Sequence, residues 1–246
     1  GKGAIRPLES YGTREIAVLS QSFLDLAGKL VDRTEYVGSF AAHVSHELKS
    51  PLTAIRGAAE LLRDDDAERP MTKAQRLHFL DNIVADAARL DALLQRLREL
   101  AQAETPVAEG ESNISDILPA LRGQFPALYI SGKGDTETSV ALPREAAGIV
   151  FANLAENALQ QGATLLELSV SADARATVIL VRDDGGGVSE ANRQRIFQPF
   201  FSTRREQGGT GMGLGIVRAM LSAHGGTIRL LQTAGAGAEF EITIPV

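Results

Sequence analysis

Two apolar heptad series constrain this chain more than any other feature. Ile16, Leu19, Phe23, Leu26 and Leu30 recur in alternating steps of three and four, the seam of a coiled coil. Arg33 interrupts the series, which resumes through Val37, Phe40, Val44, Leu48, Leu52, Ile55, Ala59 and Leu62. The consecutive steps of four from Phe40 to Leu52 form a stutter, which locally unwinds a supercoil. A single helix over Glu15 to Leu62 would be roughly 70 Å long at 1.5 Å per residue. Residues 63–72, RDDDAERPMT, read as a charged connecting loop containing Pro70. A second heptad series follows through Leu80, Ile83, Ala87, Leu90, Leu94, Leu97 and Ala101. Two long amphipathic helices joined by a short loop make an antiparallel hairpin. One hairpin leaves apolar surface uncovered, so two copies pairing as a dimeric four-helix bundle is the economical solution.

The pattern changes after Ala103 to Ser112, AETPVAEGES, a polar stretch with proline and glycine that reads as a domain linker. Beyond it the chain is mixed α/β. A helix is expected at about 143–161, opening on Pro143 and ending before Gly162. Strands are expected at 164–171 and 176–182, a short helix near 189–196, a helix at about 212–223, and strands at 226–232 and 238–245. The order fits a sheet covered on one face by helices. The expected architecture is therefore multidomain: an all-α dimeric helical hairpin followed by an α/β sandwich.

Within the first helix, FAAHVSHELKSPL (Phe40 to Leu52) places a histidine and a glutamate on an otherwise apolar element. Val44 and Leu48 share one face, so His46, two residues from each, points about 200° away, toward solvent. Pro51 has no N–H, which deprives the Glu47 carbonyl of its helical partner one turn after the histidine. The result is a displayed imidazole with an adjacent carboxylate at a weak point of the helix. His43 lies nearer the apolar seam and reads as flanking structure. The net charge of −6 over 246 residues excludes a general nucleic-acid binder. Four scattered histidines and no cysteine give neither disulfides nor a transition-metal constellation. No apolar run of about 18 residues exists to span a bilayer. The chain opens GKG without methionine, which reads as a piece of a longer protein.

The second region carries four separated signals. Asn153 and Asn157 stand i and i+4 on one helix face, and amide oxygens suit Mg²⁺. Alone the pair means little, since a plain helix surface is its commoner explanation. DDGGGV, Asp183 to Val188, follows an apolar strand; its glycines permit close backbone approach, and Asp183 can accept from a base amine. A tight turn is the alternative there. GGTGMGLGIV, Gly208 to Val217, is glycine-rich and enters a helix, whose free N–H groups favour phosphate. It lacks GK[ST], so it is no Walker A loop. FQPFFSTRREQ, Phe197 to Gln207, joins apolar anchors to a polar stretch, as a lid over a nucleotide would.

Taken together these segments resemble the cytoplasmic part of a bacterial two-component sensor histidine kinase. FAAHVSHELKSPL resembles the H box of that family, NLAEN the N box, DDGGGV the G1 box, FQPFF the F box, GTGMGLG the G2 box, and GAGAEF (Gly235 to Phe240) the terminal glycine motif. Order and spacing match over roughly residues 36–246. RPLESYGTREIAVLSQSF (Arg6 to Phe23) is similar to the end of a HAMP signal-relay module. The resemblance implies residues 1–33 as partial HAMP and signalling coiled coil, and 34–103 as the dimerisation and histidine phosphotransfer hairpin. It implies 104–112 as linker, and 113–246 as a catalytic ATP-binding domain of the gyrase, Hsp90 and histidine-kinase type. It implies His46 as phosphoacceptor, Glu47 as its acid/base partner, and Ser50 as a residue of phospho-regulator dephosphorylation. Asn157 would hold Mg²⁺, with Asn153 near the phosphates. Asp183 would read the adenine amine, and Gly185 and Gly187 would shape the base pocket. Gly209, Gly211 and Gly213 would form the lid hinge, with Thr203, Arg204, Thr210, Met212 and Leu214 beside the nucleotide. ATP and Mg²⁺ are the implied cofactors. The implied partners are a second copy of the chain and a response-regulator receiver domain. The implied location is the cytoplasmic side of a bacterial inner membrane, reached through segments outside this chain.

The sequence departs from the family pattern after Asn157. Gln160 stands where a basic residue is common and Gln161 where an aromatic or histidine is common. Arg204 or Arg205 offers a compensating charge in the lid. Ser50 replaces the usual threonine or asparagine and keeps the hydroxyl without the β-branch that restricts χ1. Two other readings stand beside the kinase: a dimeric scaffold that binds nucleotide without phosphorylating itself, and an ATPase doing conformational work. The latter would want glutamate where Asn153 stands.

Overall fold

The computed structural model describes residues 14–65, 70–104, 110–198, 200–203, 210–232 and 236–245, excepting the side chains of 14–17, 29–37, 39 and 104. The chain divides into two compact units, one ending at Asp86 and the other running from Ala87 onward. The expectations placed on Arg6 to Thr13, and on the side chains of Ile16, Leu30, Arg33 and Val37, lie outside the described residues.

The first unit is helical. α1 spans Arg14–Arg63, within one residue at each end of the helix expected from the heptads, and runs through Pro51 without a break. α2 spans Lys73–Glu104. Its start is set by a capping box: the Gln75 N–H donates to Thr72 Oγ1 at 3.2 Å, and the Thr72 N–H donates back to Gln75 Oε1 at 3.0 Å. Asp65, just after α1, accepts from the Met71 N–H at 2.7 Å and pairs with Arg76. Those contacts hold the Asp65 carboxyl below its usual range, the Met71 N–H contributing most. The seam itself is bare within one chain: Leu19 is 70% exposed, Phe23 67% and Leu26 57%.

The second unit begins with the rear of α2 and continues α3 (Ile114–Gln124), β1 (Tyr129–Gly134), α4 (Arg144–Gln160), β2 (Leu165–Ala172), β3 (Ala176–Asp183), α5 (Gly213–Ala223), β4 (Thr227–Leu230) and β5 (Glu239–Pro245). The five strands form one sheet in the order β1-β2-β3-β5-β4. β1 runs parallel to β2, while the other neighbours are antiparallel. Strict alternation puts Leu166, Leu168 and Val170 of β2 on the buried side. Ile179 and Val181 of β3 join them, with Phe240, Ile242 and Ile244 of β5. That face meets Val150, Phe151 and Leu154 of α4 and Ile216, Val217 and Leu221 of α5 in one core. The sheet is thus covered on one face, as the order of elements implied.

Three local details differ from the sequence reading. α3 and β1 were not anticipated. The helix expected near 189–196 is a single 3₁₀ turn, Glu190–Asn192, continued by turns to Gln198. The strand expected at 226–232 is confined to Thr227–Leu230.

Candidate functional site

Two sets of residues carry the chemistry, one in each unit. On α1, His46 is exposed while Val44 and Leu48 are half-buried, so the imidazole is displayed on the side away from the seam. Glu47 is half-buried and Ser50 exposed. His43 is half-buried, nearer the seam, as its spacing implied. Ser45 Oγ donates to the Ala41 carbonyl at 2.7 Å and Thr53 Oγ1 to the Lys49 carbonyl at 2.8 Å. Such back-bonding, together with Pro51, loosens the helical ladder on both sides of His46.

In the second unit a cavity opens between α4, the segment after β3 and the start of α5. Asn153, Asn157, Asp183 and Gly187 line it on one side; Thr203, Thr210, Gly211, Gly213 and Leu214 line it on the other. Gly185 and Met212 are buried directly behind this lining. Arg204 and Gly209, and with them Arg205, lie outside the described residues.

The two adjacent aspartates have opposite fates. Asp184 is fully engaged. Its Oδ1 accepts from the Thr164 and Leu165 N–H groups, both at 2.8 Å, and its Oδ2 from Thr164 Oγ1 at 2.7 Å. These contacts, the Leu165 N–H foremost, hold its carboxyl below the usual range. Asp183 is only 6% exposed. Its Oδ1 accepts from the Gly185 N–H at 2.9 Å and the Ala238 N–H at 3.2 Å. Its Oδ2 has no partner among the described residues and is left to the cavity. Burial pushes the Asp183 carboxyl above the usual range, against the pull of those two N–H groups. A buried acceptor with one free oxygen in a cleft is suited to reading an amine.

The asparagines also divide. Asn157 lines the cavity, and its carboxamide has no hydrogen-bond partner among the described residues. A free amide oxygen is a hard donor that fits Mg²⁺, which takes oxygen ligands and retains waters. Asn153, 3% exposed, is engaged at both ends: Oδ1 accepts from Arg96, while Nδ2 donates to the Ile149 carbonyl at 2.8 Å and to Glu99 Oε2 at 3.2 Å. No group of three or more His, Cys, Asp or Glu side chains that could hold a metal exists among the described residues.

Backbone geometry explains two of the glycines. Gly187 has φ +69°, and a Cβ there would stand 2.7 Å from the Gly237 carbonyl oxygen. Gly211 has φ +67°, and a Cβ would meet the Phe200 carbonyl carbon at 2.5 Å. Phe200 itself sits at φ 61° yet is buried, a backbone strain held by its surroundings. Its neighbour Phe201 is covered by the Arg195 guanidinium, 4.4 Å from the ring centroid, and Phe197 meets Phe240 edge-on at 6.4 Å. These anchors fix the near end of the segment expected to form a lid.

Two of the residues that sequence reasoning missed come from α2. Arg96 and Ala92 line the cavity, and Arg96 bonds Asn153 and pairs with Glu99 and Glu156. Their heptad positions lie off the apolar seam, so the pattern assigns them to solvent. Asp184 was likewise not separable from Asp183 without the strand register.

Comparison with known proteins identifies two domains in the chain. Residues 36–106 match the model of the His Kinase A (phospho-acceptor) domain. Residues 144–246 match that of the histidine kinase-, DNA gyrase B- and HSP90-like ATPase. The chain is 31% identical over 265 residues to the sensor protein ChvG of Rhizobium meliloti, covering 94% of this chain and 44% of that protein. It is 33% identical over 217 residues to the sensor-type histidine kinase PrrB of Mycobacterium tuberculosis, covering 84% of this chain and 47% of that protein. The chain therefore spans less than half the length of these curated relatives. Among solved structures, histidine kinase ThkA in complex with response regulator protein TrrA has the same fold, with a TM-score of 0.66 at 21% identity over 87% of this chain and 63% of that one.

Proposed function

Because the chain belongs to the bacterial two-component sensor histidine kinases, we propose that it takes the γ-phosphoryl group of ATP onto His46 and passes it to an aspartate of a response-regulator receiver domain. The observation that carries this reading is the pairing of a displayed imidazole on α1 with a cavity in which Asp183 Oδ2 and the Asn157 carboxamide stand free. Residues 34–103 serve as dimerisation and phosphotransfer hairpin, 104–112 as linker and 113–246 as ATP-binding domain.

Asp183 accepts from the adenine amine, and the turns at Gly185 and Gly187 bring backbone close to the base. The start of α5, from Gly211 through Gly213, offers N–H groups to the phosphates. Asn157 would hold Mg²⁺, whose charge would offset that of the phosphates. The His46 imidazole attacks the γ-phosphorus through a ring nitrogen lone pair: an N–P bond forms as the bond to the β,γ-bridging oxygen breaks, and ADP departs. The imidazole proton leaves to Glu47, directly or through water. Ser50, exposed one turn after His46, would orient a water for dephosphorylating the regulator. Two copies pair through the exposed seam of Leu19, Phe23 and Leu26. A regulator docks as TrrA does on ThkA. The relatives are sensor proteins of which the chain matches less than half, which supports a location on the cytoplasmic face of an inner membrane through further segments. No helix among the described residues is itself long and apolar enough to cross one.

Incubation with [γ-³²P]ATP and Mg²⁺ tests the reading. The wild type acquires an acid-labile, alkali-stable label, and His46→Gln acquires none. Label retained by His46→Gln would sink the assignment. Nucleotide binding without any label would favour the non-catalytic scaffold instead, a reading motivated by Gln160 and Gln161.

A further inference from the structure

The described lining of the cavity is poor in positive charge. It contains the carboxylates of Glu156 and Asp183 and one cation, Arg96. Gln160, on the α4 face where a basic residue would be useful, is exposed and donates to Glu156 Oε1 at 3.3 Å. Within this lining a polyphosphate therefore meets no cation from the α/β sandwich itself. Arg96 comes from α2, outside the sandwich in sequence but in the same compact unit.

Its geometry is that of a built ligand. The side chain is only 16% exposed, as is consistent with a group held in a site rather than waving in solvent. Nη1 bonds Asn153 Oδ1 and Glu99 Oε2, and Nη2 pairs with Glu156 Oε2. Nε–H and the second hydrogen of Nη2 have no acceptor among the described residues. A guanidinium presents five donors in a rigid fork, so those two remain available on a group already aimed by three neighbours. Forked N–H donors match phosphate oxygens better than any other side chain does. Asn153 lies four residues before Asn157, so Arg96 is bonded one helical turn from the amide that would hold Mg²⁺.

We propose that Arg96 is a phosphate ligand of the nucleotide site, supplying from α2 the cationic contact that Gln160 does not. The proposal rests on the ATP-binding reading above. It has a consequence for signalling: the helix that carries Arg96 is part of the region matching the phospho-acceptor domain, so nucleotide occupancy is felt directly on α2.

Calorimetric titration of the full chain with Mg²⁺–AMPPNP, and separately with adenosine, tests it. Wild type, Arg96→Ala, Arg96→Lys and Asp183→Asn are compared. Arg96→Ala is expected to weaken AMPPNP about tenfold and leave adenosine unchanged, the loss of one charge-assisted fork. Arg96→Lys should recover part of that loss, keeping charge but not the fork. Asp183→Asn should weaken both ligands. Unchanged AMPPNP affinity in Arg96→Ala overturns the proposal. Tighter AMPPNP binding overturns it too, since Arg96 would then be a latch occupying the phosphate position. If Arg96→Ala loses adenosine as well through misfolding, Arg96→Lys decides: AMPPNP must weaken while adenosine holds, and equal AMPPNP affinity overturns the assignment. Wild type that binds neither ligand defeats the ATP-binding reading itself, whereas wild type that binds both with Arg96→Ala unaffected defeats this inference alone.

Discussion

The helical unit and the α/β unit meet the demand for apolar burial in opposite ways. The sheet and its helices bury Val150, Phe151, Leu168, Ile179, Val217 and Ile242 completely within one chain. The long helix leaves Leu19, Phe23, Leu26 and Leu52 more than half exposed, with Val84 on α2 at 68%. One unit is closed upon itself, and the other carries an apolar stripe left exposed within one chain. The difference matters for function. On the reading proposed above, a seam shared between copies can transmit rotation or sliding to the exposed His46, while the closed sandwich keeps its own fold and takes from α2 the Arg96 contact.

The comparison can be broken most forcefully in the sandwich. Phe151→Ala removes a fully buried ring from the core and should cost about 3–5 kcal/mol, measured by chemical denaturation of the α/β transition. An undiminished transition would show that the core is not closed as described. Asp183→Asn should weaken adenine nucleotides on the order of 10- to 100-fold by calorimetry, because the free buried acceptor loses its charge.

Acidity sharpens the same point. The folded-state pKa of Asp183 is raised by burial, so the folded chain binds its proton more readily than the unfolded chain does. Stability contributed by this group is therefore present at low pH and declines as pH rises from the ordinary carboxylate value through the raised one. On the proposed reading nucleotide binding runs the other way: if Asp183 accepts from the adenine amine as a carboxylate, affinity should fall on acidification at a pH above the usual carboxylate range. In Asp183→Asn both dependences should flatten, as read by melting and titration across pH 4–7. Asp184 has the opposite sign. Its lowered pKa contributes stability above the ordinary carboxylate value, lost as pH falls through the lowered one. Asp184→Ala should cost about 1 kcal/mol, the low end for exposed hydrogen bonds, with adenosine binding retained.

The smallest effect on the sandwich is expected from the seam. Phe23→Asp should halve the mass by light scattering while the α/β melting transition moves within about ±0.5 kcal/mol. A coupled loss of both would contradict the independence of the two units.

Much of this was legible in the residues themselves. The heptads give α1 to within a residue at each end, because a 3.5-residue repeat sustained over many turns has few competing readings. β2, β3, α4 and α5 follow from alternation or from proline and glycine at their ends. α3 and β1 escaped for local reasons. α3 carries Pro119 in its interior and Gly123 near its end, and β1 reads YISGKG, with two glycines in six residues. Both are stabilised by tertiary contact, Leu118 and Leu121 of α3 and Ile130 of β1 entering the same core. The site was legible as residue types but not as occupancy. That Asn157 stands free while Asn153 is engaged, and that Asp183 keeps one free oxygen while Asp184 is clamped, depends on groups distant in sequence: Arg96, Glu99, Thr164 and Ala238.

The central claim is that the displayed histidine of α1 receives the phosphoryl group. The most direct measurement is neutral-pH mass spectrometry of the chain after reaction with ATP and Mg²⁺, with fragmentation of the peptide containing both His43 and His46. The account predicts one added phosphoryl group on His46, absent when AMPPNP replaces ATP. Phosphate on His43, or on no histidine although nucleotide is bound, would contradict it.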